Sequence, residues 1–153
     1  KKDLVSFFVS RGIAASKLIF EGFVGRDEHF QSFNQVDISL DTFPYNGVTT
    51  SAESLWMGVP VLTLAGNCFL SRNGETIARN VGLSDWIAED RADYINKAVR
   101  FSSDIESLSR LRSGLRAHVL SSPLFDAENF ARHFEDAMVE IINDYHKKTE
   151  FSP

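Results

Sequence analysis

The sequence predicts a parallel-sheet α/β domain with a C-terminal helical cap, on three observations. Short apolar segments of strand length alternate with amphipathic segments through residue 88. One of them, Val59 to Leu64, is apolar along almost its whole length, as strands covered on both faces are. After Glu89 the strand patterns stop and three helical stripes follow. Together these describe a Rossmann-like half-domain.

Taken in order, Leu4, Val5, Phe7, Phe8 and Val9 ahead of Arg11-Gly12 predict an amphipathic helix closed by a glycine. Leu18 to Phe20 and Phe23-Val24 read as a short strand, and Asp27 to Phe33 as one or two helical turns. Val36 to Leu40 alternates apolar and polar and runs into a loop marked by Pro44 and Asn46-Gly47. A helix from Val48 to Met57 ends at Gly58 and Pro60, and the Val59 to Leu64 strand follows. Leu70 to Asn80 reads as a helix interrupted early by Gly74, and Trp86 to Ala88 as a strand. Helices over Asp90 to Phe101, Ile105 to Leu120 and Ala127 to His146 complete the chain. The expected organisation is one domain, with residues 1–88 its Rossmann-like portion and 89–153 its helical portion.

Composition narrows the function. The 153 residues are about one ordinary domain, and 43% hydrophobic with 24% charged is the balance of a folded chain rather than a disordered one. A net charge of -5 with no Lys/Arg run longer than two gives nucleic acid or an anionic membrane no electrostatic hold. Cys68 stands alone, so neither an internal disulfide nor a zinc site is expected, in keeping with a reducing compartment. No segment reaches the roughly 18 apolar residues that span a bilayer, and no signal peptide follows Lys1-Lys2-Asp3. A cytoplasmic location is expected. The first helix lacks the strand a right-handed crossover would start from, and there is no initiator methionine, so a piece of a longer protein is expected.

Ligands of open parallel sheets bind beyond the C-terminal strand ends, which selects the segments 21–29, 41–53 and 65–72. In the middle one, Asn46 to Thr50 leads a glycine and two hydroxyls into a helix N-terminus, where free N–H groups suit an anion. Thr50-Ser51-Ala52-Glu53 equally fits a capping box with Thr50 as N-cap, and spacing leaves both readings open. Neither a P-loop nor a Gly-x-Ser-x-Gly nucleophile motif occurs. Asp37, Asp41, Glu53, Glu75 and Asp85 are scattered over separate elements and nominate no acid–base pair, and His118, His133 and His146 show no metal-ligand spacing.

The run from Asp37 to Thr50, DISLDTFPYNGVTT, continuing from Glu53 to Gly66 as ESLWMGVPVLTLAG, closely resembles the C-terminal catalytic lobe of the O-GlcNAc transferase family. That family includes the Spindly protein O-fucosyltransferases and bacterial proteins with tetratricopeptide repeats. Ser71 to Gly74, Gly82-Leu83 and Ser121 to Asp126 extend the likeness over nearly the whole chain. The resemblance implies one Rossmann-like lobe of a GT-B glycosyltransferase, which holds a nucleotide-sugar donor without a metal or other cofactor. It implies that Val24 offers backbone groups to the base, Arg26 contacts ribose or phosphate, and His29 packs on the nucleoside. Gly47, Val48, Thr49 and Thr50 would hold the diphosphate and Glu53 the ribose hydroxyls.

Four positions depart from the animal enzymes: Arg26 replaces a lysine, Ser32 an arginine, Val48 a histidine and Glu53 an aspartate. UDP-GlcNAc is the leading donor and GDP-fucose stays open. The implied partners are a Ser/Thr acceptor protein, the upstream catalytic lobe and tetratricopeptide repeats. The family's leaving-group lysine lies upstream, so these residues are expected to be inactive alone. The competing class is a non-catalytic interaction module. On either reading the last helix, with Phe130, Phe134, Met138, Ile141 and Tyr145 at helical spacing, is expected to expose an apolar strip.

Overall fold

The computed structural model describes residues 2–150, without the side chains of 148–150. The described residues divide into two units between Gln31 and Ser32.

The first unit opens with α1 (Lys2–Val9). Its C-terminus turns at Gly12, whose φ of 84° places it in the left-handed region, with Gly12 N–H donating to the Val9 carbonyl at 3.0 Å. One 3₁₀ turn at Ala15–Lys17 follows, and then α2 (Arg26–Ser32), whose residues up to Gln31 close the unit. The expected strand over Leu18 to Phe20 and Phe23-Val24 does not form. A β-rich composition makes a strand only where a neighbour supplies a ladder, and here Ile19 is 79% exposed and Phe23 fully exposed.

The second unit is built on a parallel sheet of β1 (Ser39–Leu40), β2 (Val61–Leu64) and β3 (Ile87–Ala88), in that spatial order. Ser39 pairs with Val61, and Thr63 with Ile87. The central strand is buried along its whole length, which is why it reads as apolar. Between β1 and β2 runs α3 (Thr49–Trp56), and between β2 and β3 runs α4 (Asn73–Asn80), preceded by a 3₁₀ turn at Phe69–Arg72. Gly74 therefore lies in the first turn of α4 and interrupts nothing. α3 closes through Gly58 at φ 76°, with Val59 N–H donating to the Ser54 carbonyl at 2.9 Å.

Three helices follow: α5 (Arg91–Ser103), α6 (Ile105–Leu120) and α7 (Ala127–Glu150). Each begins behind an aspartate. Asp90 accepts from Asp93 N–H, Asp104 from Ser107 N–H and Asp126 from Asn129 N–H, at 2.8, 3.0 and 2.9 Å. Leu108, Leu115 and Val119 of α6 join Leu55, Leu62, Ile77 and Trp86 in one core. His118 ties α6 to the end of α4 through a 2.8 Å bond between Nε2 and the Val81 carbonyl, a structural use of its ring. The arrangement is an α/β Rossmann-like half with a helical C-terminal segment.

Candidate functional site

All three strands run the same way, so the segments after Leu40, Leu64 and Ala88 leave one edge of the sheet. Asp41 follows the first of them. Its backbone N–H donates to the Leu62 carbonyl at 2.9 Å, extending the ladder by one rung, and Tyr94 Oη donates to its carbonyl at 3.0 Å. The carboxylate then reaches both ways: Oδ1 accepts Gly47 N–H at 2.8 Å and Oδ2 accepts Thr63 Oγ1 at 2.7 Å. Asn46, 1% exposed, steadies the same loop, its Nδ2 donating to the Thr42 carbonyl at 2.9 Å. Burial, and then the Asp41 charge, push the Tyr94 phenol up to about 12.

Gly47 enters the junction, and Val48 is the N-cap of α3. Its carbonyl accepts the first helical bond, from Ala52 N–H at 3.0 Å, but its side chain cannot cap. Of the two readings that spacing left open, the capping box is not the one adopted. Thr50 lies inside the first turn, because Val48 already has helical backbone angles (φ -114°, ψ -72°) and starts the helix two residues earlier. Thr49 and Thr50 are exposed, Gly47 and Glu53 half-buried, and Val48 is 53% exposed. These five residues are thus brought onto one loop–helix junction at the sheet's C-terminal edge.

Val24, Arg26 and His29 lie in the first unit. Arg26 opens α2, with its guanidinium 5.7 Å from the Phe30 ring centre, and His29 sits one turn on with its ring 5.9 Å from the same ring. Val24, half-buried, precedes the helix.

Asp41, Asn46, Thr63 and Gly74 are site-building residues that pattern reasoning left without a role. The available signal was an Asp directly behind a strand, followed six residues later by a glycine. A cavity of about 340 Å³ opens beside Asp41, lined by Phe43, Leu64, Arg91, Tyr94 and Ile95; Gly47 to Thr50 are not part of its wall. Among the described residues no three His, Cys, Asp or Glu side chains converge as a metal-binding set would, and no helix is long and apolar enough to cross a membrane.

A Rossmann-like half with a loop–helix junction at its strand ends is the architecture of a nucleotide-binding lobe. A family model described as Glycosyl transferase family 41 matches residues 1–134, and the chain belongs to that family. It is 43% identical over 108 residues to a tomato protein (Solanum lycopersicum) named "Probable UDP-N-acetylglucosamine--peptide N-acetylglucosaminyltransferase SPINDLY", covering 71% of this chain and 12% of the relative. It is 29% identical over 145 residues to the UDP-N-acetylglucosamine--peptide N-acetylglucosaminyltransferase of Caenorhabditis elegans, 95% of this chain and 13% of that one. A mutant O-GlcNAc transferase of Thermobaculum terrenum superposes with a TM-score of 0.87 at 32% identity, over 97% of this chain and 28% of that protein. The chain therefore spans about an eighth of the length of these two curated relatives.

Proposed function

We propose that this chain is the donor-binding C-terminal lobe of a cytoplasmic protein O-glycosyltransferase. It holds a nucleoside diphosphate sugar, UDP-GlcNAc first and GDP-fucose as the alternative, for inverting transfer to Ser/Thr hydroxyls of a protein acceptor. Residues 1–88 are its nucleotide-sugar-binding portion and 89–153 its helical portion. The upstream lobe of the parent protein, with tetratricopeptide repeats, supplies the acceptor side. The relatives' printed names, two of which specify UDP-N-acetylglucosamine and a peptide, support this choice of donor and acceptor.

The observation that carries the reading is the first turn of α3. Its N-cap side chain is a valine, whereas α5 and α6 begin behind aspartates that satisfy their first-turn N–H groups. Two exposed hydroxyls, Thr49 and Thr50, sit beside those N–H groups at the sheet edge where such folds bind phosphate. Val48 contributes its backbone N–H, Gly47 the turn that leads into the helix, Thr49 and Thr50 hydroxyls, and Glu53 an acceptor for ribose. Val24, Arg26 and His29 are assigned to the nucleoside, on the family resemblance.

Titration of the intact protein with UDP and with GDP tests this. Hydrogen bonds to charged groups contribute about 1.5–3 kcal/mol each, so removing both hydroxyls in Thr49→Ala/Thr50→Ala should weaken diphosphate binding more than tenfold. Since Thr50 does not cap the helix, Thr50→Ala should leave the melting temperature nearly unchanged. A variant that melts early but binds as well as the parent would overturn the assignment, and so would a protein that binds neither nucleotide and serves only as an interaction module.

A further inference from the structure

We propose that Asp41 is the positioning residue of this junction: its carboxylate sets the path from Gly47 into α3, so that the first-turn groups meet a diphosphate in one fixed arrangement. The inference rests on the reading of the junction given above. Four bonds hold the residue. Its backbone is fixed at the N–H by Leu62 and at the carbonyl by Tyr94, and its two carboxylate oxygens by Gly47 and Thr63. The sheet therefore dictates where Oδ1 lies, and Oδ1 in turn dictates where the Gly47 peptide lies, one residue before the N-cap. α4 seals the arrangement. A Cβ built on Gly74 would fall 2.5 Å from Asp41 Oδ2 and 2.0 Å from Thr63 Oγ1, so the α4 backbone presses directly on the pair.

Direct contact with the donor is the weaker role for this side chain. A carboxylate facing a diphosphate repels it, whereas one whose oxygens are both engaged by protein donors acts as a bracket. A bracket of this kind needs two hydrogen-bonding atoms on one rigid plane. Asparagine keeps both: its Oδ1 can still accept from Gly47 while its amide donates to Thr63 Oγ1, whose proton is free to turn elsewhere. Alanine keeps neither.

The test measures affinities of the intact protein for UDP and uridine, or for GDP and guanosine if GDP is the ligand, together with each variant's melting temperature. Asp41→Ala should weaken diphosphate binding tenfold or more and nucleoside binding less than twofold, and Asp41→Asn should recover to within threefold of the parent. Equal losses for nucleoside and diphosphate, or no recovery in Asp41→Asn, overturn the proposal. If Asp41→Ala does not fold, Thr63→Val removes only the second strut. It should weaken diphosphate binding about threefold with nucleoside binding constant, and unchanged diphosphate affinity in folded Thr63→Val overturns the proposal. Thr49→Ala/Thr50→Ala separates the two claims. If that variant loses affinity and Asp41→Ala does not, only the Asp41 role falls. If the threonine variant binds normally, the junction reading falls and the Asp41 role with it.

Discussion

α4 and α7 both carry apolar side chains, and these meet opposite fates. On α4, Ile77 and Ala78 are 7% and 4% exposed, turned onto β2 and β3. On α7, Phe130, Phe134, Met138, Ile141 and Tyr145 are between 38% and 69% exposed, and Val139 and Ile142 beside them are open as well. The five residues expected to form an apolar strip thus do so. Periodicity establishes that a helix has an apolar face; whether the same chain supplies the cover is a separate fact, and only the fold states it.

The largest effect that could break this contrast comes from paired truncations. Leu62→Ala in the central strand, fully buried, should cost about 3 kcal/mol through lost transfer energy and a cavity. Phe134→Ser on α7 should change stability by less than about 0.5 kcal/mol, since its ring is already 54% exposed. Urea midpoints on both variants decide it. Comparable losses would mean that the α7 face is covered in solution.

Gly74→Ala sharpens the contrast next. Adding one methyl to a helix is ordinarily neutral or favourable, but here it meets Thr63 Cβ at 2.8 Å as well as the Thr63 hydroxyl and Asp41. Thr63 is fully buried on the central strand and cannot yield easily. A destabilisation of about 2 kcal/mol by denaturant titration is expected. The same substitution at Gly114, on α6 with nothing within 4 Å of a built Cβ, should stabilise by about 0.5–1 kcal/mol.

These residues also mark what could be read in advance. The β2 run, the Gly58 stop and all of α6 were legible, because burial on both faces, a left-handed C-cap and a 3.6-residue period each leave a local mark. The junction from Gly47 to Glu53 was legible as a place, through its glycine and hydroxyls. The Asp41–Thr63 bracket was not. It joins residues 22 apart in sequence, and a strand-end aspartate looks the same whether or not a threonine faces it. The false strand near Leu18 failed for the complementary reason: its composition was right and its ladder was missing. Gly74 read as a helix interruption because its close approach to β2 is a tertiary fact.

A smaller effect contrasts capped and uncapped helices within the second unit. Asp104→Ala removes the acceptor for Ser107 N–H at the start of α6 and should cost about 1 kcal/mol. Val48→Ala at the corresponding position of α3 removes no cap and should cost less than half of that. Thermal melts of the two variants check the difference, and equal losses would show that the Val48 side chain supports the junction by packing.

The smallest effect, and the one that probes the bracket most gently, is at Tyr94. Its hydroxyl links α5 to the carbonyl of Asp41. Tyr94→Phe keeps the ring and removes the bond, for an expected loss of about 0.5 kcal/mol near neutral pH. The alkaline behaviour identifies the group. The folded-state phenol titrates at about 12 against an ordinary value of 10.0, so the folded protein holds this proton more tightly than the unfolded chain does. Its contribution is therefore complete below the unfolded value and is lost as pH rises through the folded one. Stability of the parent should fall between about pH 10 and 12 more steeply than that of Tyr94→Phe. Urea midpoints taken through that window measure the difference in slope. Curves that stay parallel would mean that the phenol is not buried beside Asp41, and that the tie from α5 to the bracket does not hold in solution.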